Sequence, residues 1–378
     1  MKILLTGDFC PRDRLKEKIR AHDPTEVIDQ KLLEIGRESD LFITNLECPV
    51  TLSSEPIAKT GPNLKTDDSA VSFLKKAGFN LVTLANNHIM DFGKDGLKDT
   101  IDYLNKAEMP YTGAGLVEKE KNKIFYCETD NIKLAVLNVT ENEWSTSNGN
   151  QPGAKGVDPI ENYYAIQEAK EKADKVIMIA HGGHEMYEYP SPEIRDRYRF
   201  YIDAGCNAVI AHHTHCVSGY EEYKGSPVFY SIGNFLFDHP KHRNAIWNKG
   251  LAVALNLKQN AITYEVIHFD QCTDKAKLRI CDEPETKRRN SDLELKRKVI
   301  KDDRRLERMF EKWLKSKAKS YRSYIEPVKN RWINALQNRG YLPTLWSKRK
   351  KRYLLNVIRC ESHREVLKKI LENDLSHT

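Results

Sequence analysis

In VIAHHTHCVSG (residues 209–219) an apolar run stops at three histidines, 212, 213 and 215. The chain holds only 12 histidines in 378 residues, so three within four positions need a chemical reason. The apolar run reads as a strand buried on both faces. Side chains alternate along an extended chain, so His213 and His215 are expected to point one way and His212 another. All three would stand at the carboxyl end of the strand, where ligands sit in open α/β sheets.

Working outward, six further runs have the same character. They are KILLTG (2–7), LFITNLE (41–47), NLVTLAN (80–86), IKLAVLNV (132–139), KVIMIAHG (175–182) and PVFYSIGN (227–234). Between several of them lie stretches with apolar residues at helical spacing, at 68–78, 93–108 and 191–205. Strands alternating with helices imply an α/β sandwich. Residues 251–270 read as two alternating strands around a polar turn at 258–260, a hairpin able to edge a sheet. From 273 the strand signals stop. The stretch 291–325 reads as one long or two shorter basic amphipathic helices stopped by Pro327, and 347–374 as one or two more. The expected division is an α/β domain over 1–272 and a basic helical region over 273–378.

Composition agrees with this division. Residues 271–378 carry 30 Lys and Arg against 15 Asp and Glu, whereas 1–270 carry 31 against 39. A basic segment attached to an acidic body suggests two parts with different jobs. At 40% hydrophobic residues the chain can build a sizeable core, and no apolar run is long enough to span a bilayer. The eight cysteines are scattered without a CxxC pair, and no secretion signal precedes the first strand. Reduced thiols and a cytoplasmic location are expected.

Polar residues gather where the strands end. The first run ends at Asp8, the second at Glu47, the third in Asn86, Asn87 and His88, and a later one at His181. Each has an ordinary alternative: Asp8 could cap the following segment, and His181 could be a packed core histidine. Glu47 is an odd carboxylate after an apolar run unless it faces a site. Asp, Glu, Asn, His and His-x-His at five strand ends are hard to read as independent accidents.

The blocks GDFC, DLFITNLE, ANNH, AHGG and HHTH, in this order, resemble the calcineurin-like metallophosphoesterases. NLECPVT (45–51), LANNHIMDFGKDGLKDTIDYL (84–104), GAG (113–115), HGGHE (181–185), DAGCNAVIAHHTH (203–215) and YSIGNFLFD (230–238) resemble the CapA branch, the capsule and poly-γ-glutamate biosynthesis proteins. The resemblance covers roughly 1–270 and implies a four-layer α/β sandwich with two divalent metal ions, of the Mn, Zn or Fe kind. It implies that Asp8, Glu47 and His215 hold one ion and Glu47, Asn87, His181 and His213 the other, with Glu47 bridging. Cys10 stands where the wider family has a histidine, either as a thiolate ligand or as a buried apolar residue. His88 would donate a proton to the leaving oxygen. Asp91 would either orient His88 or start the following helix. His212, Glu185, Asn234 and Asn86 are candidates for substrate or supporting contacts. Two such ions activate water and clamp the oxygens of an in-line phosphoryl displacement.

The implied function is a metal-dependent phosphoesterase acting on an anionic phosphoester or polymer in surface-polymer synthesis. The alternative is an accessory protein that docks on a membrane-associated synthase through its basic helices. That would place it peripherally at the inner face of the membrane. Trp313, Tyr321, Tyr324 and Trp332 lie among Lys and Arg, which suits nucleic-acid stacking or an apolar helix face. No nucleic-acid motif is present, and that partner ranks last.

Overall fold

A computed structural model describes the chain except residues 22, 148, 326–329, 331, 334–335, 337–340, 342–345 and 377–378, and except the side chains of 318–320, 322–325, 372 and 375–376. The strands are β1 (Lys2–Phe9), β2 (Leu41–Leu46), β3 (Leu81–Thr83), β4 (Tyr111–Thr112), β5 (Ala114–Gly115) and β6 (Phe125–Thr129). They continue with β7 (Ile132–Thr140), β8 (Gly153–Ala154), β9 (Lys175–His181), β10 (Ala208–His212) and β11 (Tyr220–Tyr223). The last are β12 (Ser226–Phe229), β13 (Asn234–Leu236), β14 (Lys249–Lys258), β15 (Ala261–Gln271) and β16 (Leu278–Ile280).

Two sheets carry the fold. One runs β16-β15-β14-β1-β2-β3-β4, with β13 pairing β1, and the other runs β11-β12-β10-β9-β7-β6. Both faces of β1 are buried. Ile3 and Leu5 point into a core that also holds Val136, Ile177, Ile179 and Ile210 of the other sheet. Leu4 and Phe9 point into a core on the opposite face. That outer core is completed by Leu15, Val27, Leu32 and Leu33, from helices α1 (Arg14–Ala21), α2 (Pro24–Val27) and α3 (Gln30–Arg37), and by Leu74 and Leu97, from α4 (Ser69–Ala77) and α5 (Gly93–Lys106). After the short α6 (Glu118–Lys121), Ile166 and Tyr198 from α7 (Pro159–Lys172) and α8 (Pro192–Ala204) cover the second sheet on the far side. The order helix, sheet, sheet, helix is the expected four-layer sandwich.

The near-continuous apolar runs match parallel strands covered on both faces. β9 lies parallel to both β7 and β10, with Thr140, His181 and His212 in register. β1 lies parallel to β2, with Asp8 opposite Asn45. Register therefore aligns the polar strand ends.

PVFYSIGN does not form one strand. It splits into β12 in the second sheet and β13 beside β1 in the first, because the chain crosses between sheets at Gly233, whose φ is +73°. A left-handed residue ends an extended run, and glycine takes that conformation freely. The 251–270 hairpin forms as β14 and β15. β16 then adds an edge strand beyond the point where strand signals stop in the sequence.

The basic region forms helices α9 (Glu283–Ile300) and α10 (Asp303–Ile325), then Lys348–Arg359 and Glu361–Ser376. Pro327, read as the stop, lies outside the described residues. Trp313 and Tyr321 join an apolar cluster with Tyr187, Phe310, Leu314, Val366 and Ile370. Their face of α10 is therefore a packing face. Trp332 is exposed, and the side chain of Tyr324 lies outside the described residues. Among the described residues, no helix is long and apolar enough to cross a membrane.

Candidate metal centre

The strand ends bring six of the expected ligands together. His181 Nε2 lies 3.4 Å from Glu47 Oε1, 3.1 Å from Asn87 Oδ1 and 3.0 Å from His213 Nδ1. On the other side of Glu47, His215 Nε2 is 3.9 Å from Oε1 and His215 Nδ1 is 3.7 Å from Asp8 Oδ2. Two ligand groups therefore share Glu47, one with His181 and His213, the other with Asp8 and His215.

His213 and His215 reach these places in an unexpected way. β10 stops at His212, and the next histidines have φ of +97° and +56°. They are not successive residues of an extended strand. A left-handed turn aims each ring separately, at a cost of about 1–2 kcal/mol per non-glycine residue. Such strain persists only where the surroundings over-determine it. Asp8 helps fix the turn by accepting a hydrogen bond from the His213 amide at 3.0 Å.

Supporting contacts orient the ligands. Asn45 Nδ2 donates to Asp8 at 2.7 Å and lies 3.3 Å from His181 Nδ1. His215 Nδ1 lies 2.9 Å from Asn234 Oδ1, which leaves Nε2 toward Glu47. The other end of the Asn234 amide donates to the Trp247 carbonyl at 3.1 Å. Asn234 is thus buried behind a histidine, not open to a substrate. Asn86 is buried too: it accepts from the His88 amide at 3.1 Å and donates to the Leu46 carbonyl at 2.9 Å, fixing the turn that presents Asn87 and His88. His212 sits beneath the centre, 3.5 Å from Asp8 Oδ1 and 3.3 Å from His181 Nδ1. Cys10 lies beside Cys48 in an apolar cluster with Leu64, Phe237 and Trp247. Burial, the Cys48 thiol and Glu47 push its thiol well up.

Electrostatics define what the centre lacks. Burial opposes the charged form of Asp8, but His212, His181 and His215 outweigh it and hold the carboxyl well below its ordinary value. Burial likewise disfavours the His181 imidazolium, yet Asp8 and Glu47 push it up to about 10. Burial and the neighbouring rings push His213 well down, and burial takes His212 to about 4. Glu47 is fully buried, and neither of its oxygens receives a hydrogen bond. A buried carboxylate without donors is expensive. Cations on both sides of Glu47 would satisfy both oxygens, so these residues fit a two-cation centre.

The centre opens into a cavity of about 400 Å³ lined by Asn87, His88 and His213. His88 Nδ1 is 2.7 Å from Asp91 Oδ2, and Lys59 Nζ is 3.1 Å from the same nitrogen while also pairing with Asp91. Asp91 does not cap α5, whose N-cap is Phe92. Glu185 stands exposed at the cavity rim. Another wall comes from the C-terminal helices, with Tyr353, Asn356 and His363.

Lys59, Asn45 and these helix residues were not read from the sequence. Lys59 lies in an irregular loop with no periodicity. Asn45 could have been found: it is polar within an apolar run, directly beside Asp8 in register.

The sandwich brings the candidate ligands to the ends of its parallel strands. Comparison with known proteins gives relatives over part of the chain. The PGA biosynthesis protein CapA of Bacillus subtilis is 33% identical over 262 residues, spanning 68% of this chain and 68% of that protein. A Mycobacterium tuberculosis protein named "Probable polyglutamine synthesis accessory protein" is 26% identical over 215 residues, spanning 53% of this chain and 56% of its own length. A solved structure described as a novel phosphatase, from Mycoplasma pneumoniae, is 14% identical, covers 72% of this chain and 95% of its own, and gives a TM-score of 0.46. The family described as "Bacterial capsule synthesis protein PGA_cap" matches residues 2–239, and the chain belongs to it.

Proposed function

We propose that this protein is a metal-dependent hydrolase of the phosphoesterase class, working in the synthesis of a capsule or poly-γ-glutamate polymer. The observation that carries this reading is the doubly unsatisfied carboxylate of Glu47 between two sets of ligand atoms. Asp8, Glu47 and His215 would hold one divalent cation, and Glu47, Asn87, His181 and His213 the other. Bound there, two such cations supply an activated water and charge stabilisation for in-line displacement at phosphorus.

The chain's own residues supply the rest. Asp91 can only accept, so the Nδ1 of His88 carries a proton toward it, and in the imidazolium form Nε2 carries a second proton, which it gives to the leaving oxygen as the ring becomes neutral. Lys59 offers positive charge to an anionic substrate in the same cavity. The basic helices would dock on an anionic partner or a membrane-associated synthase, keeping the protein in the cytoplasm at the inner membrane face.

The test is hydrolysis of bis-p-nitrophenyl phosphate with Mn, Zn or Fe supplied. Turnover should depend on the metal, and His88→Ala should lower it by about 10²–10⁴-fold with metal content unchanged. The name of the mycobacterial relative favours a second reading, in which the protein is an accessory factor of a polymer synthase. No turnover in metal-loaded protein, with recovery of a synthase through residues 273–378, would establish that reading instead.

A further inference from the structure

A second set of ligand-bearing side chains meets at the helical wall of the same cavity. Glu141 and Glu143 follow the end of β7. Cys360 and His363 flank the start of the helix Glu361–Ser376, a Cys-x-x-His spacing that turns both side chains to one side. Cys360 Sγ is 3.1 Å from Glu141 Oε2 and 3.8 Å from Glu143 Oε1. His363 Nε2 is 3.7 Å from the same Glu143 oxygen. The ligand atoms of Glu143, Cys360 and His363 all lie within 4.8 Å of one another.

We propose that Glu143, Cys360 and His363 hold a further divalent cation of the zinc class, with Glu141 Oε2 beside the Cys360 sulfur. Metal–ligand distances of about 2.0 Å to N or O and 2.3 Å to S place tetrahedral ligand atoms roughly 3.3–3.7 Å apart, so only small closure is needed.

Three observations support this beyond proximity. The Tyr321 hydroxyl lies 2.6 Å from His363 Nδ1, the outer hydrogen bond that fixes a ligating imidazole with its other nitrogen inward. Glu141 is held by the Gly183 amide and the Ser362 hydroxyl on Oε1, which leaves Oε2 toward Cys360. Among the described residues, no Lys or Arg forms an ion pair with Glu141 or Glu143. A comparable group, Asp270, Cys281 and Glu285, differs on this point, because Arg279 and Arg289 already pair with its carboxylates. The wall cluster thus has two acidic side chains and a thiol with one imidazole, while Arg197 and Lys59 act on Glu141 and Glu143 only from beyond ion-pair distance. A cation there would tie the last two helices to the rim of the strand-end centre.

The experiment is metal analysis and cobalt substitution of the full chain. Wild-type protein should bind one equivalent more than Cys360→Ser or His363→Gln. The cobalt form should show thiolate-to-cobalt charge-transfer absorption that survives Cys10→Ser and disappears in Cys360→Ser. In His181→Ala, which removes a strand-end ligand, the thiolate band should persist, so this site reads out separately from the other centre. If Cys360→Ser does not fold, the partly exposed His363→Gln decides alone by metal content. Unchanged metal content in the folded variants, or a band that follows Cys10, overturns the proposal and leaves a hydrogen-bonded cluster.

Discussion

At the scale of single residues, the proposed two-cation centre sets protons and cations in competition for the same atoms. His181 is pushed up to about 10 by Asp8 and Glu47 against its burial, so below that pH its ring is protonated when no metal is present. A ligating imidazole must be neutral, so binding must expel that proton. Metal affinity should therefore rise with pH, by about tenfold per unit for each proton released, up to pH of about 10. Titration calorimetry in buffers of different ionisation enthalpy should show proton release at pH 7. Binding without proton release would contradict the charge state described. The six residues gathered at the strand ends were legible because each closes or follows an apolar run of strand length. Glu143, Cys360 and His363 were not legible, since their partners lie more than 200 positions apart and belong to no periodic pattern. The left-handed turn at His213 and His215 was also hidden, because nothing in the residue type announces a positive φ there.

At the scale of elements, two contacts hold the strand ends in place. A Cβ added at Gly7 would meet the Gly233 carbonyl oxygen at 1.7 Å, where β13 closes against β1. Backbone cannot yield as a side-chain tip can. Gly7→Ala should therefore cost about 3 kcal/mol, read as a lower denaturant midpoint with an unchanged slope.

Just beyond β13, Asp238 accepts two bonds of 2.8 Å from the Arg14 guanidinium and one from the Arg14 amide. Burial opposes the charged carboxylate, but Arg14 outweighs it and lowers the pKa. This stabilisation is present above the unfolded value, near pH 4, and is lost as pH falls through the lower folded value. Asp238→Asn should cost roughly 2 kcal/mol at pH 7, and the difference from wild type should vanish in strong acid.

Helices α4 and α5 were readable from their apolar spacing and the hairpin from its alternation. The helices over 14–37 were not read, since each is at most eight residues long and carries too few apolar positions to show a helical period. PVFYSIGN misled because a change of sheet keeps the composition of a buried strand.

At the scale of the molecule, the acidic body and basic tail foretold by charge are joined by apolar contacts. Phe310 is fully buried, with its ring 5.2 Å from His184 and 5.8 Å from Trp313, in the cluster shared with Val366 and Ile370. Phe310→Ala should cost about 3–5 kcal/mol within this cluster. Hydrogen exchange should accelerate over 348–376 while strand-end metal content is unchanged. Uniform loss across both sheets would instead mean that the helices and the sandwich unfold as one unit.

The place of β1 has a further consequence for how the chain is made. It lies between β2 and β14, so one of its two edges waits for a strand that begins at Lys249. At synthesis rates of about 5–20 residues per second, that edge stays open for roughly 12–50 s after β1 leaves the ribosome. Throughout that interval a strand with the apolar run Ile3–Leu5 offers unpaired amides to any neighbour. The nascent protein therefore depends on shielding by a chaperone, or on the early docking of α1 and α3, to avoid pairing with the wrong chain.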